Sequence, residues 1–303
     1  MTDPKITTNS TDVTMNSRIP TVSIGMPVYN GAEYIREALD SLLAQTFTDF
    51  ELIISDNASN DTTQEICQKY AEQDSRIRYI RQSTNMGAMP NFTFVLHEAR
   101  AEYFMWATHD DKLGTNVTLS NLVKSLDDGF ELAAPDVDLF NETKGITDRG
   151  VLSSVFREQK RNSFTRLALK FPSYMVYGLF VTRCLRESYN YLEQSSDLPC
   201  FGEGVFVHAI SANLKCSFIK NALLIYRRHS TNTSSTIIAP VLLKCFIKYS
   251  YRVFLFYLKS SYSIIDKLNY IIVLGWTHIK YILILLLSMV RFYLKSNFKK
   301  LRT

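Results

Sequence analysis

The chain has 303 residues, of which 46% are hydrophobic, and a formal net charge of +5. This apolar fraction is typical of a globular protein and excludes a disordered or fibrous class. The length allows one large α/β domain with an appendage, or two small domains. The five cysteines are scattered, odd in number and without a C-x-x-C pair. They indicate neither a disulfide framework nor a zinc site and favour a reducing cytosol.

The positive charge is concentrated towards the C-terminus. Residues 240–303 contain eleven Lys or Arg and one acid, Asp266, so this stretch carries +10 and the remaining residues carry −5. A basic C-terminal segment on a mildly acidic body indicates that the two parts bind different kinds of partner. Residues 1–18 are polar, rich in Thr, Asn and Ser, and without the apolar core of a secretory signal, so we expect a flexible leader.

Between residues 21 and 140, short apolar runs of strand-like composition alternate with stretches whose apolar residues recur at helical spacing. The predicted strands are TVSIGMPV (21–28), FELIISD (50–56), RIRYIRQ (76–82), EYFMWAT (102–108) and ELAAPDVDLF (131–140). The predicted helices span residues 32–45, 91–99 and 115–127, and a further helix, capped by Asn60 or Asp61, runs through Tyr70. This alternation predicts a mostly parallel sheet with right-handed crossovers.

The pattern beyond residue 140 is less regular. KGITDRG (144–150) predicts a hairpin loop, and SYMVYGLFVTRCL (173–185) predicts a strand that feeds a helix. Residues 200–213 predict a loop entering a helix, and residues 215–234 a strand running into a polar loop.

Polar residues follow several of the predicted strands, at the edge where parallel sheets bind ligands. They form four groups: residues 27–30, 56–59, 81–87 and 109–111. In the last group the adjacent carboxylates of Asp110 and Asp111 repel each other, so either they are solvated or they share a cation. A solvated acidic turn is the common arrangement for such a pair. The position of both aspartates on one rim with Asp56 favours the cation.

Several sequence blocks carry a family resemblance. The segment VSIGMPVYNGAEYIREALDSLLAQTFTDFELIISDNASNDTT, followed by NMGAMPNF, EYFMWATHDD and YRRHSTNTS, resembles the family 2 glycosyltransferases over roughly residues 20–234. The resemblance implies an α/β nucleotide-sugar-binding fold of the GT-A type with a mostly parallel central sheet. It also implies an inverting sugar transfer. We therefore expect a catalytic domain at residues 19–236 and a helical tail at residues 237–303.

The resemblance also implies a donor pocket. Asp56 would hydrogen-bond the base or ribose, and Asp110 the ribose or the water molecules of a metal. Arg227 or Arg228 could pair with the diphosphate, and we expect Arg228 to do so. The other residues expected to line or shape this pocket are Pro27, Tyr29, Asn30, Asn57 and Ser59.

A divalent cation, Mn²⁺ or Mg²⁺, is implied as the cofactor, because the leaving nucleoside diphosphate is strongly negative. Asp111 would be its ligand, and His229 is a second candidate, although it could equally be a surface loop histidine. Many family members have an acid at the position of Thr108, so this chain has one carboxylate fewer.

The general base of an inverting transfer must take a proton from the acceptor hydroxyl. The family places an acid, often an E-D pair, at a helix entrance late in the domain, and Glu203 in FGEGVF matches that position. Gly204 replaces the second acid. Asp197 in SSDLP is the alternative base, and Glu203 could instead be a helix-start acid that complements the helix dipole.

The sequence is compatible with more than one class of function. The first is a glycosyltransferase that moves a sugar to a glycan or lipid-linked acceptor, like bacterial cell-surface polysaccharide enzymes. The second is a non-catalytic nucleotide-sugar-binding module, which Thr108 and Gly204 favour. A dinucleotide redox enzyme is excluded because no G-x-G-x-x-G follows the first strand. A processive synthase is disfavoured because Q-x-x-R-W and multiple membrane spans are absent from the sequence.

The tail has two apolar, basic segments. Residues 241–262 place Lys or Arg at spacings of four, four and seven, which suits an anionic membrane surface. Residues 268–290 are long enough to span, but His278 and Lys280 lie near the middle. We expect the tail to lie on the cytoplasmic face of the cell membrane; the alternatives are a single span or two helices packed on the protein. No nucleic-acid partner is predicted.

Overall fold

The computed structural model describes residues 18–156, 173–193 and 214–228. The predicted leader up to residue 17, the predicted helix near residue 203 and the tail lie outside these residues. Helices and one mixed sheet of nine strands account for most of the described chain. Among the described residues, no helix combines the length and apolar character needed to cross a membrane.

The elements alternate as the sequence predicts. The strands are β1 (Val22–Val28), β2 (Phe50–Asp56), β3 (Ile77–Arg81), β4 (Tyr103–Trp106), β5 (Lys112–Leu113), β6 (Leu132–Asn141), β7 (Gly145–Asp148), β8 (Leu179–Val181) and β9 (Cys216–Arg228). The helices are α1 (Ile35–Leu43), α2 (Thr63–Gln73), α3 (Ala88–Glu98), α4 (Thr118–Asp127), α5 (Val151–Phe156) and α6 (Thr182–Glu193), with a short 3-10 helix at Ser173–Tyr177.

The strand order is β3-β2-β1-β4-β8-β6-β9-β5, and β7 pairs with β6. Strands β3, β2, β1 and β4 are mutually parallel, whereas β8 is antiparallel to both β4 and β6. Strands β6 and β9 are parallel to each other. Two antiparallel steps restore the original direction, so the carboxyl ends of β6 and β9 point the same way as those of the first four strands. The predicted, mostly parallel sheet is confirmed, and its rim is wider than predicted.

The core explains why these runs became strands. Every residue of β1 and β2 is buried, which is typical of strands covered on both faces. Helix α1 contributes its apolar face, Ile35, Ala38, Leu39 and Leu42, at the spacing of one helical stripe.

An ion pair between buried Glu51 and partly exposed Arg100 ties the amino end of β2 to its neighbours. Glu51 accepts a hydrogen bond from the Ser23 hydroxyl at 2.6 Å and two from the Arg100 side chain, at 2.7 and 3.1 Å. Its side chain is 6% exposed, whereas that of Arg100 is 54% exposed. This cluster lies at the end of the sheet opposite the predicted ligand rim.

Three local features differ from the sequence prediction. Residues 112–113 form β5, which pairs antiparallel with β9, and a two-residue strand has no periodicity by which a sequence could show it. Residues 145–148 of the predicted hairpin loop form a strand on β6. Only Leu179–Val181 of the predicted strand at 173–185 is extended, because the residues before it form the 3-10 helix.

Candidate active site

The turns that follow β1 and β2 are joined to each other. The main-chain amide of Asn30 donates to Ser59 Oγ at 2.9 Å, and the amide of Asn60 donates to Asn30 Oδ1 at 2.9 Å. Asn30 and Ala58 both have positive φ, 52° and 60°, a conformation that Asn tolerates and that is uncommon for Ala. The cross-links hold both turns in this shape, so two neighbouring strand ends form one fixed surface.

Asp56 lies beneath that surface. Its carboxylate accepts hydrogen bonds from the Ser59 amide at 2.8 Å, from Tyr79 Oη at 2.7 Å and from Arg81 Nη1 at 2.7 Å. The Asp56 side chain has no exposed area, and the Arg81 side chain is 35% exposed. Burial and the neighbouring Asp56 raise the pKa of Tyr79, which keeps its hydroxyl a donor. A ligand at this rim therefore meets Arg81 before Asp56.

Arg81 and Tyr79 were not among the predicted site residues. The available signal was the basic residue that ends β3, next to the acid that ends β2, since Asp56 and Arg81 are direct register partners. Sequence reasoning placed residue 81 on the rim but gave it no role.

Asn57 shapes the neighbouring loop, as expected for a turn residue. Its side-chain amide donates to Asn85 Oδ1 at 2.8 Å and to the Gly87 carbonyl at 3.0 Å, and its Oδ1 accepts from the Met86 amide at 2.9 Å. Met86 and Tyr29 are exposed, by 38% and 43%. Two apolar side chains near the ends of β1 and β3 thus face solvent in the free protein.

The remaining predicted residue of this group is placed differently. Pro27 is buried within β1, in register with Ser55, and does not reach the surface. It lies under the rim on which Tyr29 and Asn30 stand.

The acidic pair is not a solvated turn. Asp111 is 6% exposed, and its carboxylate accepts hydrogen bonds from Thr108 Oγ1 at 2.6 Å and from the main-chain amide of Arg227 at 2.8 Å. Asp110 is half-buried beside it. Burial raises the pKa of Asp111 to about 7, and the charge of Asp110 adds to this effect. A buried carboxylate in this condition is stabilised by a proton or by a nearby cation.

Thr108, which replaces an acid of the family pattern, has a definite role in this arrangement. Its hydroxyl donates a hydrogen bond to one carboxylate oxygen of Asp111. This bond favours the ionised form and lowers the pKa, so it partly opposes the effect of burial.

The two arginines considered for the diphosphate occupy different environments. Arg228 is exposed at the end of β9, whereas the Arg227 side chain is only 9% exposed. Arg227 Nε donates to the Asp110 carbonyl at 3.1 Å, and its Nη2 donates to Glu37 at 2.9 Å. Arg228 therefore stays the candidate for an anionic ligand, and Arg227 is part of the protein interior.

The donor set fits a hard divalent cation in part. Two neighbouring carboxylates supply oxygen ligands, and the raised pKa of Asp111 reflects negative charge that a cation would stabilise. Within the described residues, however, no three His, Cys, Asp or Glu side chains are grouped closely enough to enclose a metal ion. His229, the further ligand predicted, follows β9 directly and lies outside the described residues, as do Glu203 and Asp197.

Comparison with known proteins identifies the family of this chain. The family model of Glycosyl transferase family 2 matches residues 23–186, more than half of the chain. An uncharacterized glycosyltransferase of Rickettsia typhi is 40% identical over 96 residues, which cover 32% of this chain and 29% of that protein. Glycosyltransferase GlyA of Streptococcus pneumoniae is 28% identical over 138 residues, which cover 46% and 20%. The matched stretch spans less than a third of these curated relatives.

Solved structures share the fold at low sequence identity. S. aureus TarS 1-349 in complex with UDP-GlcNAc superposes with a TM-score of 0.65 at 18% identity, covering 82% of this chain and 69% of that one. Mannosyltransferase PcManGT from Pyrobaculum calidifontis, in complex with GDP-Man and Mn²⁺, superposes with a TM-score of 0.56 at 16% identity, covering 86% and 71%. The predicted GT-A-like fold is confirmed. With the family model matching the segment that carries both rim turns and the acidic pair, the chain belongs to glycosyl transferase family 2.

Proposed function

We propose that this protein transfers a sugar from a nucleotide-sugar donor to an acceptor hydroxyl, with inversion at the anomeric carbon. The observation that carries the proposal is the buried carboxylate of Asp111 beside Asp110. These acids follow β4, and the cross-linked turns of Asn30 and Ser59 follow β1 and β2, parallel strands of the same sheet. One rim would thus provide both a site for a cation and a fixed surface for a nucleotide.

The nucleoside end of the donor would bind over β1, β2 and β3. Exposed Tyr29 and Met86 offer apolar contact to a base, and the guanidinium of Arg81 offers hydrogen-bond donors anchored by Asp56. UDP-GlcNAc bound to TarS and GDP-Man bound to PcManGT, both of similar fold, support a nucleotide-sugar donor.

The diphosphate would lie at the acidic pair, with Mn²⁺ or Mg²⁺ held by Asp111, assisted by Asp110 and His229. Bound there, the cation would neutralise charge on the leaving nucleoside diphosphate. The Mn²⁺ in PcManGT supports such a cofactor. Exposed Arg228, at the end of β9, would add a positive charge at the same rim.

The chemical step would need a base on the acceptor side, and Glu203 is the proposed residue, with Asp197 as the alternative. The base removes the proton of the acceptor hydroxyl, the hydroxyl oxygen bonds to the anomeric carbon, and the bond from that carbon to the diphosphate breaks. A single displacement of this kind inverts the anomeric configuration.

A glycan or lipid-linked acceptor, in cell-surface polysaccharide biosynthesis, is part of the proposal. The basic, apolar residues 237–303 would lie on the cytoplasmic face of the cell membrane, in the plane of a lipid-linked substrate. Sedimentation of the full-length protein with vesicles tests this. We expect the protein to bind vesicles that contain anionic lipid, not to bind neutral vesicles, and to be released by high salt. Failure to bind either kind of vesicle would contradict the proposal.

The donor proposal is tested by thermal shift with UDP, GDP, CDP and dTDP, each with and without Mn²⁺. One of them should raise the melting temperature more than the others, and more with Mn²⁺ than without. A ligand at a concentration 100 times its Kd adds about 2.7 kcal/mol to the free energy of unfolding. The cognate nucleotide sugar should then be hydrolysed slowly in the presence of Mn²⁺. Binding without hydrolysis or transfer would identify the alternative, a non-catalytic nucleotide-sugar-binding module.

A further inference from the structure

Arg227 makes contacts with both members of the acidic pair. Its main-chain amide donates to Asp111 Oδ1 at 2.8 Å, and its Nε donates to the carbonyl oxygen of Asp110 at 3.1 Å. One residue at the end of β9 thus holds a side chain and the adjoining main chain of the segment that follows β4. The separation in sequence is more than 110 residues.

The guanidinium is itself held from several sides. Nη2 donates to Glu37 at 2.9 Å, and Nη1 lies 3.8 Å from Glu142. Its Cζ lies over the rings of Tyr34 and Phe140, at 4.7 and 5.2 Å from their centroids. With 9% of the side chain exposed, little of this group is accessible to a ligand.

We infer that Arg227 is a positioning residue that fixes the geometry in which Asp110 and Asp111 take a divalent cation. This inference rests on the proposed function. The hydrogen bond from Arg227 Nε fixes the main chain at Asp110. The guanidinium is in turn held by Glu37, Glu142 and the two rings. Groups that orient metal ligands in this way typically change metal affinity 10- to 100-fold when they are removed.

The sign of the effect distinguishes positioning from simple electrostatics. A guanidinium near two carboxylates competes with a metal ion, so removing its charge would by itself strengthen metal binding. A positioning role predicts the reverse, because the pair loses its fixed geometry when the side chain is shortened or replaced. Weaker Mn²⁺ binding after loss of a positive charge therefore identifies positioning.

Arg227→Met and Arg227→Lys isolate the side chain, since both variants keep the main-chain amide that serves Asp111. Methionine keeps an apolar stem for the two rings and loses the charge. Lysine keeps the charge but lacks the fork that reaches the Asp110 carbonyl and Glu37 together. Lys112→Met is the matched control. It also removes a positive charge that pairs with Glu37, at 3.0 Å. It should leave the contacts to Asp110 and Asp111 unchanged, because the amide and Nε of Arg227 itself make them.

The experiment titrates Mn²⁺ into the full-length, nucleotide-free proteins by calorimetry, after circular dichroism has shown that each variant is folded. Arg227→Met should bind Mn²⁺ on the order of 10-fold more weakly than the wild type. Arg227→Lys should also bind it more weakly, and Lys112→Met should bind it equally well or more tightly. If Arg227→Met does not fold, Arg227→Lys alone decides. Wild-type affinity or tighter binding in the deciding Arg227 variant would overturn the inference.

Nucleoside diphosphate affinity at saturating Mn²⁺ provides a second measurement. If Arg227 only positions the acidic pair, the Arg227 variants should bind the nucleoside diphosphate with near-wild-type affinity once Mn²⁺ is saturating. If Arg227 instead binds the diphosphate directly, the affinity of the variants stays low, and that outcome would also overturn the inference. A wild-type protein that binds no Mn²⁺ would contradict the metal role in the proposed function together with this inference. Normal wild-type binding with unchanged Arg227 variants would contradict the inference alone.

Discussion

Asp56 and Arg81 are register partners at the ends of β2 and β3, joined at 2.7 Å, and only the arginine reaches the surface. The acid is fully covered and also accepts hydrogen bonds from Tyr79 and Ser59. The family resemblance implies a direct hydrogen bond from Asp56 to the base or ribose of the donor. Because the carboxylate is covered, we predict instead that Asp56 acts on a nucleotide through the guanidinium that it holds, and keeps its own hydrogen bonds.

The first prediction concerns this pair. Arg81→Ala and Asp56→Asn should each weaken nucleoside diphosphate binding on the order of 10-fold, because each loses or misplaces the same hydrogen-bond donor. The double variant should be little worse than either single one, and calorimetry on all four proteins gives the coupling.

Arg78→Ala is the control for this cycle, because Arg78 lies on the same strand and pairs with Glu98 away from the strand end. It should leave nucleotide affinity unchanged. Additive losses in the double variant would show that Asp56 and Arg81 contact the nucleotide independently.

The second prediction concerns Asp111. Asp111→Asn should lower transfer on the order of 10²-fold or more, as for removal of a main electrostatic stabiliser. The same variant should be at least as stable as the wild type in EDTA, because the amide removes a carboxylate whose ionised form burial disfavours. Rate assays and thermal melts measure the two effects, and near-wild-type turnover by folded Asp111→Asn would exclude the metal role.

The third prediction concerns Glu51, at the opposite end of β2. Burial alone would raise the pKa of Glu51, but hydrogen bonds from Arg100 and Ser23 outweigh it and hold the pKa below its ordinary value. A lowered folded pKa stabilises the protein above the unfolded pKa, near 4.5, and this stabilisation is lost as the pH falls through the folded pKa. Glu51→Gln should therefore cost about 1.5–3 kcal/mol at pH 7, and progressively less below pH 4.5.

Urea unfolding at several pH values checks this prediction. Glu98→Gln is the matched control, because its partner Arg78 is more than a third exposed and such pairs contribute less than about 1 kcal/mol. Nucleotide affinity of Glu51→Gln should be unchanged, since Glu51 lies away from the rim. A stability difference that is independent of pH would show that the ionised pair does not account for the loss.

The sequence predicts the rim better than the contacts that organise it. Strand ends follow from hydrophobic periodicity, which correctly predicts that Asp56 and Asp111 lie on one edge of the sheet. Periodicity carries no information on which of two consecutive arginines turns inward, and here β9 pairs with β5 and β6 so that Arg227 is buried and Arg228 is exposed. Strand β5 itself is a product of that tertiary pairing. The pairing of Arg81 with Asp56 likewise depends on the register of β3, which local sequence does not determine.

The last prediction concerns the base, which the sequence assigns to Glu203 and which lies outside the described residues. If Glu203 takes the acceptor proton, Glu203→Gln should cut turnover by ~10²–10⁴-fold. It should leave donor binding intact, because an amide of the same size cannot accept that proton but keeps the shape of the site.

Asp197→Asn is the matched change at the alternative base. Both variants are assayed for transfer and, by calorimetry with Mn²⁺, for nucleoside diphosphate affinity. A large loss of turnover in Asp197→Asn with normal turnover in Glu203→Gln would reassign the base. Loss of donor affinity in Glu203→Gln would place that residue in the donor pocket instead.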